Sequence, residues 1–191
     1  SALKVSALSL IRIANDMRLM ASGPRCGFNE IKLPPRQPGS SIMPGKVNPG
    51  IAEVLDQTCY HVIGNDLAVT MAVENGQLEL NVMEPVLAFN LFNSFRYLTN
   101  AINTFTNLLL KDLKANKEQC QKWVDNSVGI ITALLPHLGY EKCSAIAKEA
   151  YNQGTPVKEI IMREKLMTRE IMEEILSPCE MTHPGSAGGK K

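Results

Sequence analysis

Apolar residues near the start of the chain recur at spacings of three and four. Leu3, Ala7, Leu10, Ala14 and Met17 form one line, and Val5, Leu8, Ile11 and Ile13 widen it. So broad a stripe predicts a helix buried on most of its sides. It should stop near Ser22-Gly23-Pro24, since glycine ends helices and proline disfavours helix at the residue before it. A second helix is expected from about Ile51 to Val73, with Ile51, Val54, Leu55, Thr58, Val62 and Leu67 facing inward and a break at Glu74-Asn75-Gly76. A third should run from about Val86 to Leu110. Each is roughly 30 Å long. Long helices with apolar faces on several sides predict an all-α, long-helix bundle that other chains complete.

After Asn116 the rhythm shortens. Asn116 is placed to cap a helix through Val124, Ile130 to Leu134 reads as another short one, and Tyr140 to Asn152 closes at Gly154. Thr155-Pro156 predicts a helix start with proline at its first position, and Thr168 caps a last helix through Leu176. The end, 186–191, should be floppy. This shift predicts a long-helix domain over 1–116 and a small helical C-terminal domain over 117–191. Ser1 already stands in helical register with no start methionine, which predicts a piece of a longer protein.

Composition narrows the function. Forty-five per cent of the 191 residues are hydrophobic and only five per cent aromatic, which suits packed helices. Twenty basic against nineteen acidic residues leave no basic stripe, so nucleic acid is not an expected partner. No apolar run approaches a membrane span, and the N-terminus lacks a signal peptide's order. Five scattered cysteines without a C-x-x-C pair predict reduced thiols in a cytoplasmic protein, with no metal site.

Between Arg25 and Pro49 the periodicity stops, and prolines, glycines and serines crowd together. A structureless stretch of this length is more often functional than idle. Within it, over 36–49, Ser40 and Ser41 offer hydroxyls, Lys46 a cation and Asn48 an amide, while Gly45 frees the backbone before the lysine. The helix that begins near Ile51 would turn its N-terminal N–H groups toward the same place, which favours a carboxylate. Glu53, in that first turn, is placed to pair with Lys46. These features alone leave an anion site and a plain surface loop both open.

The run Gly39-Ser-Ser-Ile-Met-Pro-Gly-Lys-Val-Asn-Pro49 resembles, without departure, the signature loop of the aspartase/fumarase superfamily. Asn15 to Met20, Gly23-Pro24-Arg25, Gly64-Asn65-Asp66 and Gly76 to Asn81 are similar to flanking blocks of that family, so the likeness covers the chain up to Gly185. It implies that 1–116 is the C-terminal half of a central helical bundle. It also implies that the loop closes over the substrate, with Ser40 as general base at C3 and Ser41 in substrate binding. Lys46 and Asn48 would hold the carboxylate that gains charge, and Glu53 matches an acidic position associated with catalysis. No cofactor is implied, and the assembly implied is a homotetramer with sites drawn from three subunits. The family's upstream Thr-His and Ser-Ser/Thr blocks have no counterpart here, and His61, His137 and His183 lack that context.

Glu74 to Pro85 and Pro178 to Gly185 resemble the aspartate ammonia-lyase branch, which implies elimination of ammonia from L-aspartate to give fumarate. Class II fumarate hydratase is the alternative within the family. A helical oligomerisation module is the alternative from another class.

Overall fold

The computed structural model describes residues 1–37, 43 and 45–188. Its residues gather into two compact units, Ser1–Asn116 and Lys117–Lys191. Almost all of the regular structure in both is helical.

The first unit is three long helices: α1 (Ala2–Met20), α2 (Gly50–Glu74) and α3 (Glu84–Leu108). α2 lies against both of the others. Its line Ala52, Leu55, Cys59 and Val62 meets Ala7 and Ala14 of α1 and Leu98, Ala101 and Phe105 of α3, all of them buried. These positions recur at three- and four-residue steps and so share one face. Alanine at the α1 seam lets the two backbones approach closely. Deeper in the α2–α3 contact, Asn65 Nδ2 donates to Ser94 Oγ at 3.0 Å, which satisfies a buried amide.

Two expectations about these faces are corrected. Val54 and Leu67 are 48% and 62% exposed, because they stand off the Ala52–Val62 line. α1 is covered on one side only: Val5, Leu8 and Ile13 face outward. The exposed row Phe89, Phe92 and Phe95 extends the same pattern along α3.

α1 ends where the glycine–proline pair demanded. Gly23 takes φ +143°, and an added Cβ there would stand 3.1 Å from the Asn29 side chain, so only glycine fits comfortably. The chain then forms a two-residue strand, β1 (Ile31–Lys32), paired antiparallel with β2 (Lys114–Ala115) after a 3₁₀ turn at Leu110–Asp112. No periodicity announces strands this short. Asn116 donates its Nδ2 to the Asn29 carbonyl at 2.9 Å, and its N–H to that of Glu30 at 2.8 Å.

The second unit comprises α4 (Lys117–Asn126), a 3₁₀ segment at Val128–Leu134, α5 (Leu135–Leu138), α6 (Tyr140–Gln153), α7 (Val157–Arg163), α8 (Arg169–Ile175) and α9 (Pro178–Thr182). Its core includes Leu134, Cys143, Ile146, Ile160, Ile161, Ile175 and Leu176. Gly154 closes α6 in the left-handed region at φ 66°, and Thr168 Oγ1 accepts the Ile171 N–H to cap α8. Pro156 is the N-cap of α7 rather than its first helical residue. The tail departs from expectation as far as Gly188. Ala187 packs on the core, and the Gly188 N–H donates to Glu180 Oε1 at 3.2 Å. Positions 189–191 lie outside the described residues.

Lys158 of α7 reaches Asp125 of α4 at 2.6 Å, and Gln121 adds a hydrogen bond to the same oxygen. The Lys158 hydrogen bond chiefly holds the Asp125 carboxyl below its ordinary value of 3.8. The stabilisation is therefore complete above that value and disappears as pH falls through the lowered one. Lys158→Met should cost about 0.2–1 kcal/mol at pH 7, the range of exposed ion pairs. The difference from wild type should vanish in strong acid; chemical denaturation at both pH values checks it, and an equal cost at both would refute the ion-pair reading.

Candidate active site

The region that carries the candidate residues is assembled from the end of α1, the strand β1 and the start of α2. Ser22 and Asn29 shape the turn between the first two. Ser22 Oγ donates to the Leu19 carbonyl at 2.6 Å and accepts the Phe28 N–H at 3.1 Å. Asn29 Nδ2 donates to the Pro24 carbonyl at 3.1 Å, and its N–H to that of Ser22 at 2.7 Å. β1 is thereby carried back beside α1. At its far end Arg36 donates Nε to the Leu108 carbonyl at 2.7 Å and pairs with Asp112.

These elements enclose an open cavity of about 690 Å³. Its walls come from Arg18, Ala21, Asn29, Lys32, Lys46 and Pro49, among others. The ionisable groups among the described lining residues are Arg18, Lys32 and Lys46, all cations. A hollow walled by basic groups concentrates anions and raises their local occupancy. Its size is of the order of small-molecule sites.

Behind that wall lies a charge cluster. Arg18, in the last turn of α1, donates Nη1 to Asp56 Oδ2 at 3.1 Å and to Asn15 Oδ1 at 3.0 Å. Its Nη2 stands 3.7 Å from Glu53 Oε1. Glu53 and Asp56 are three residues apart, on one face of the first turns of α2. Asp56 is buried to 2% exposure, and burial raises its carboxyl above the ordinary value of 3.8 against the opposing pull of Arg18. Asp56 Oδ1 and Arg18 Nε are buried with no hydrogen-bond partner among the described residues. A buried carboxylate of this kind depends on its single cation.

Lys46 thus lines the large cavity, whereas Asn48 lines a separate hollow of about 40 Å³ with Gly50 and Ile51; Leu33 and Pro49 border both. In this arrangement the α2 N-terminus and Asn48 face the small hollow rather than the lysine. Among the described residues Glu53 pairs with Arg18 and not with Lys46. Ser40 and Ser41 lie outside the described residues. His61 packs edge-on against Tyr97 at 5.5 Å, and His137 Nε2 and His183 Nδ1 meet carbonyls of Ala187 and Cys179. Sequence reasoning passed over Arg18 and Asp56. The available signal was an acidic pair at i, i+3 opening α2, with an arginine closing the helix before the loop.

A lyase family model matches residues 1–64, and the model of the fumarase C C-terminus matches 130–183. The chain is 55% identical over 190 residues to an aspartate ammonia-lyase of a Bacillus species, covering 100% of the chain and 41% of that protein. It is 52% identical to the aspartate ammonia-lyase of Bacillus subtilis strain 168, covering 98% and 40%. Among solved structures it is similar to a fumarate lyase:delta crystallin from Brucella melitensis bound to cobalt, with TM-score 0.89, 45% identity and coverage of 95% and 39%. It is also similar to a recombinant class II fumarase from Schistosoma mansoni, with TM-score 0.86, 39% identity and coverage of 95% and 38%. The chain spans about two fifths of the length of these curated relatives.

The cysteines report on this region. Burial, then the Asp56 charge, push the Cys59 thiol up to about 11, and burial raises Cys143 as well. Both should stay protonated and unreactive toward a maleimide at pH 7, while the exposed Cys26 and Cys179 label readily. Mass spectrometry of briefly labelled native protein checks this. Labelling of Cys59 as fast as Cys26 would show that the α1–α2 seam opens.

Proposed function

The chain belongs to the aspartase/fumarase superfamily, and on that premise we propose that it serves an aspartate ammonia-lyase. The reaction is reversible elimination of ammonia from L-aspartate to give fumarate. The observation that carries this reading is the cation-walled cavity holding Lys46, in a chain half identical to relatives of that name.

The chemistry sets the demands. A base takes the proton from C3, and the C–H electron pair moves into the neighbouring carboxylate, giving an enediolate-like dianionic group. That pair then returns to form the C2–C3 double bond as the C2–N bond breaks and ammonia leaves. The carboxylate gains charge in the intermediate, so preorganised positive groups accelerate the step. The signature-loop resemblance assigns Lys46 and Asn48 to that carboxylate, although Asn48 lines the separate small hollow in this structure; it assigns Ser41 to substrate binding, Ser40 to the base and Glu53 to catalytic support. A serine hydroxyl is a weak base, and Lys46 is the charge available to stabilise its alkoxide. Arg18 and Lys32 add positive charge to the same wall.

The exposed apolar faces of α1, α2 and α3 support assembly with further copies, and a homotetramer with shared sites is the arrangement proposed. Five free cysteines support a reducing, cytoplasmic setting. No described helix is long and apolar enough to cross a membrane. Class II fumarate hydratase is a second reading, supported by the likeness to the Schistosoma mansoni enzyme. A non-catalytic helical module is the reading from another class.

Three outcomes are expected. The complete enzyme given L-aspartate should release ammonia and gain fumarate absorbance, with little response to L-malate. Efficient dehydration of malate without ammonia release would make it a fumarase, and no turnover of either would favour the helical module. In the same enzyme, Ser40→Ala should lose most of kcat while still binding substrate, and near-normal turnover would remove Ser40 as the base. The 191-residue chain assayed alone should elute as an oligomer or aggregate and release no ammonia. Each missing preorganised donor is worth roughly 10²–10³ in rate. Robust turnover by this chain would show that its own residues complete a site.

A further inference from the structure

Arg18 occupies a position that the reaction's demands alone do not assign. Its side chain both walls the large cavity and pairs with the two carboxylates in the first turns of α2. We propose that Arg18 is a positioning residue for substrate binding: it masks the charges of Glu53 and Asp56 behind the cavity wall, so that the field at Lys46 favours a dicarboxylate. The inference rests on the anionic-substrate reading above and deepens it.

The geometry supports it in three steps. First, both acidic groups lie on one face of the first turns of α2, which Pro49 joins to the cavity wall. Second, each has Arg18 as its recorded ionic partner among the described residues, at 3.1 Å and 3.7 Å. Third, Asp56 is buried, so solvent screens its charge less than that of a surface carboxylate. Two carboxylates and one guanidinium leave the cluster one charge negative. Without the guanidinium it would be two charges negative, at the edge of the cavity whose lysine must receive a dianion. Juxtaposed like charges of this kind suppress binding.

The same geometry makes Arg18 a strap between the end of α1 and the start of α2. A purely structural strap and an electrostatic mask give different results in the complete enzyme. Arg18→Met should raise KM for L-aspartate by about tenfold or more, with a smaller change in kcat. Combining it with Asp56→Asn restores the net charge of the cluster without restoring the strap, and should recover most of the lost KM. Asp56→Asn alone should leave KM unchanged or lower. Arg18→Lys, which keeps the charge and loses the fork of donors, should stay within a few-fold of wild type. Equilibrium binding of fumarate should follow the same order as KM.

If Arg18→Met does not fold, Asp56→Asn and Arg18→Lys decide the matter. KM raised in Asp56→Asn, or raised tenfold or more in Arg18→Lys, would overturn the mask. A double variant no better than Arg18→Met alone would do the same. Wild-type enzyme that releases no ammonia from aspartate would refute the function itself. Wild-type turnover with unaltered KM in Arg18→Met would refute only the role of Arg18.

Discussion

The first unit depends on α2 being packed from two sides at once. Leu55, Cys59 and Val62 are essentially sealed from water, and they can be so only while α1 and α3 both press on the same helix. Large-to-small changes along that line lose transfer energy and leave a cavity, typically about 2–5 kcal/mol for leucine to alanine. The alanines of α1 set the approach that makes this seal possible. Because residues 45–49 lead straight into α2, the seating of that helix also fixes where Lys46 to Pro49 can stand.

A buried ion pair crosses the α1–α2 seam. Asp56 sits beside Cys59 on α2, and its charge is tolerated because Arg18 reaches it from α1. A buried pair of this kind adds little to stability compared with a well-packed apolar replacement, so its presence calls for another reason. Its placement behind a cavity walled by Arg18, Lys32 and Lys46 supplies one. Strap and electrostatic control are then the same set of bonds.

The long helices carry more apolar surface than the first unit covers. Val5, Leu8, Leu67, Met71, Phe89, Phe92 and Phe95 are each more than half exposed. Exposed apolar surface of that extent accords with the association proposed above. The second unit differs, closing its own core around Leu134, Ile146, Ile160 and Ile175, with short helices ended by glycine and started by threonine and serine caps. Local signals suffice for such a unit, because each helix is punctuated by its own sequence.

The sequence by itself determined the helical class, the three long helices to within two residues at most ends, and the punctuation at Gly23, Gly154 and Thr168, all of which depend on period and local backbone preference. It also pointed to the loop with Lys46, because that run of residues is distinctive without any coordinates. Tertiary structure alone decided which apolar residues face inward. Val54 and Leu67 read as core by spacing, but a neighbour's position, not the period, selects the buried face. It also decided the two-residue strands, whose pairing joins residues far apart in sequence, and the docking of Ala187 and Gly188. Above all it brought Arg18 to Asp56 and Glu53 across 38 and 35 intervening steps of chain. Charges that distant in sequence meet only when two helices pack, and no local pattern encodes which helix a side chain will find.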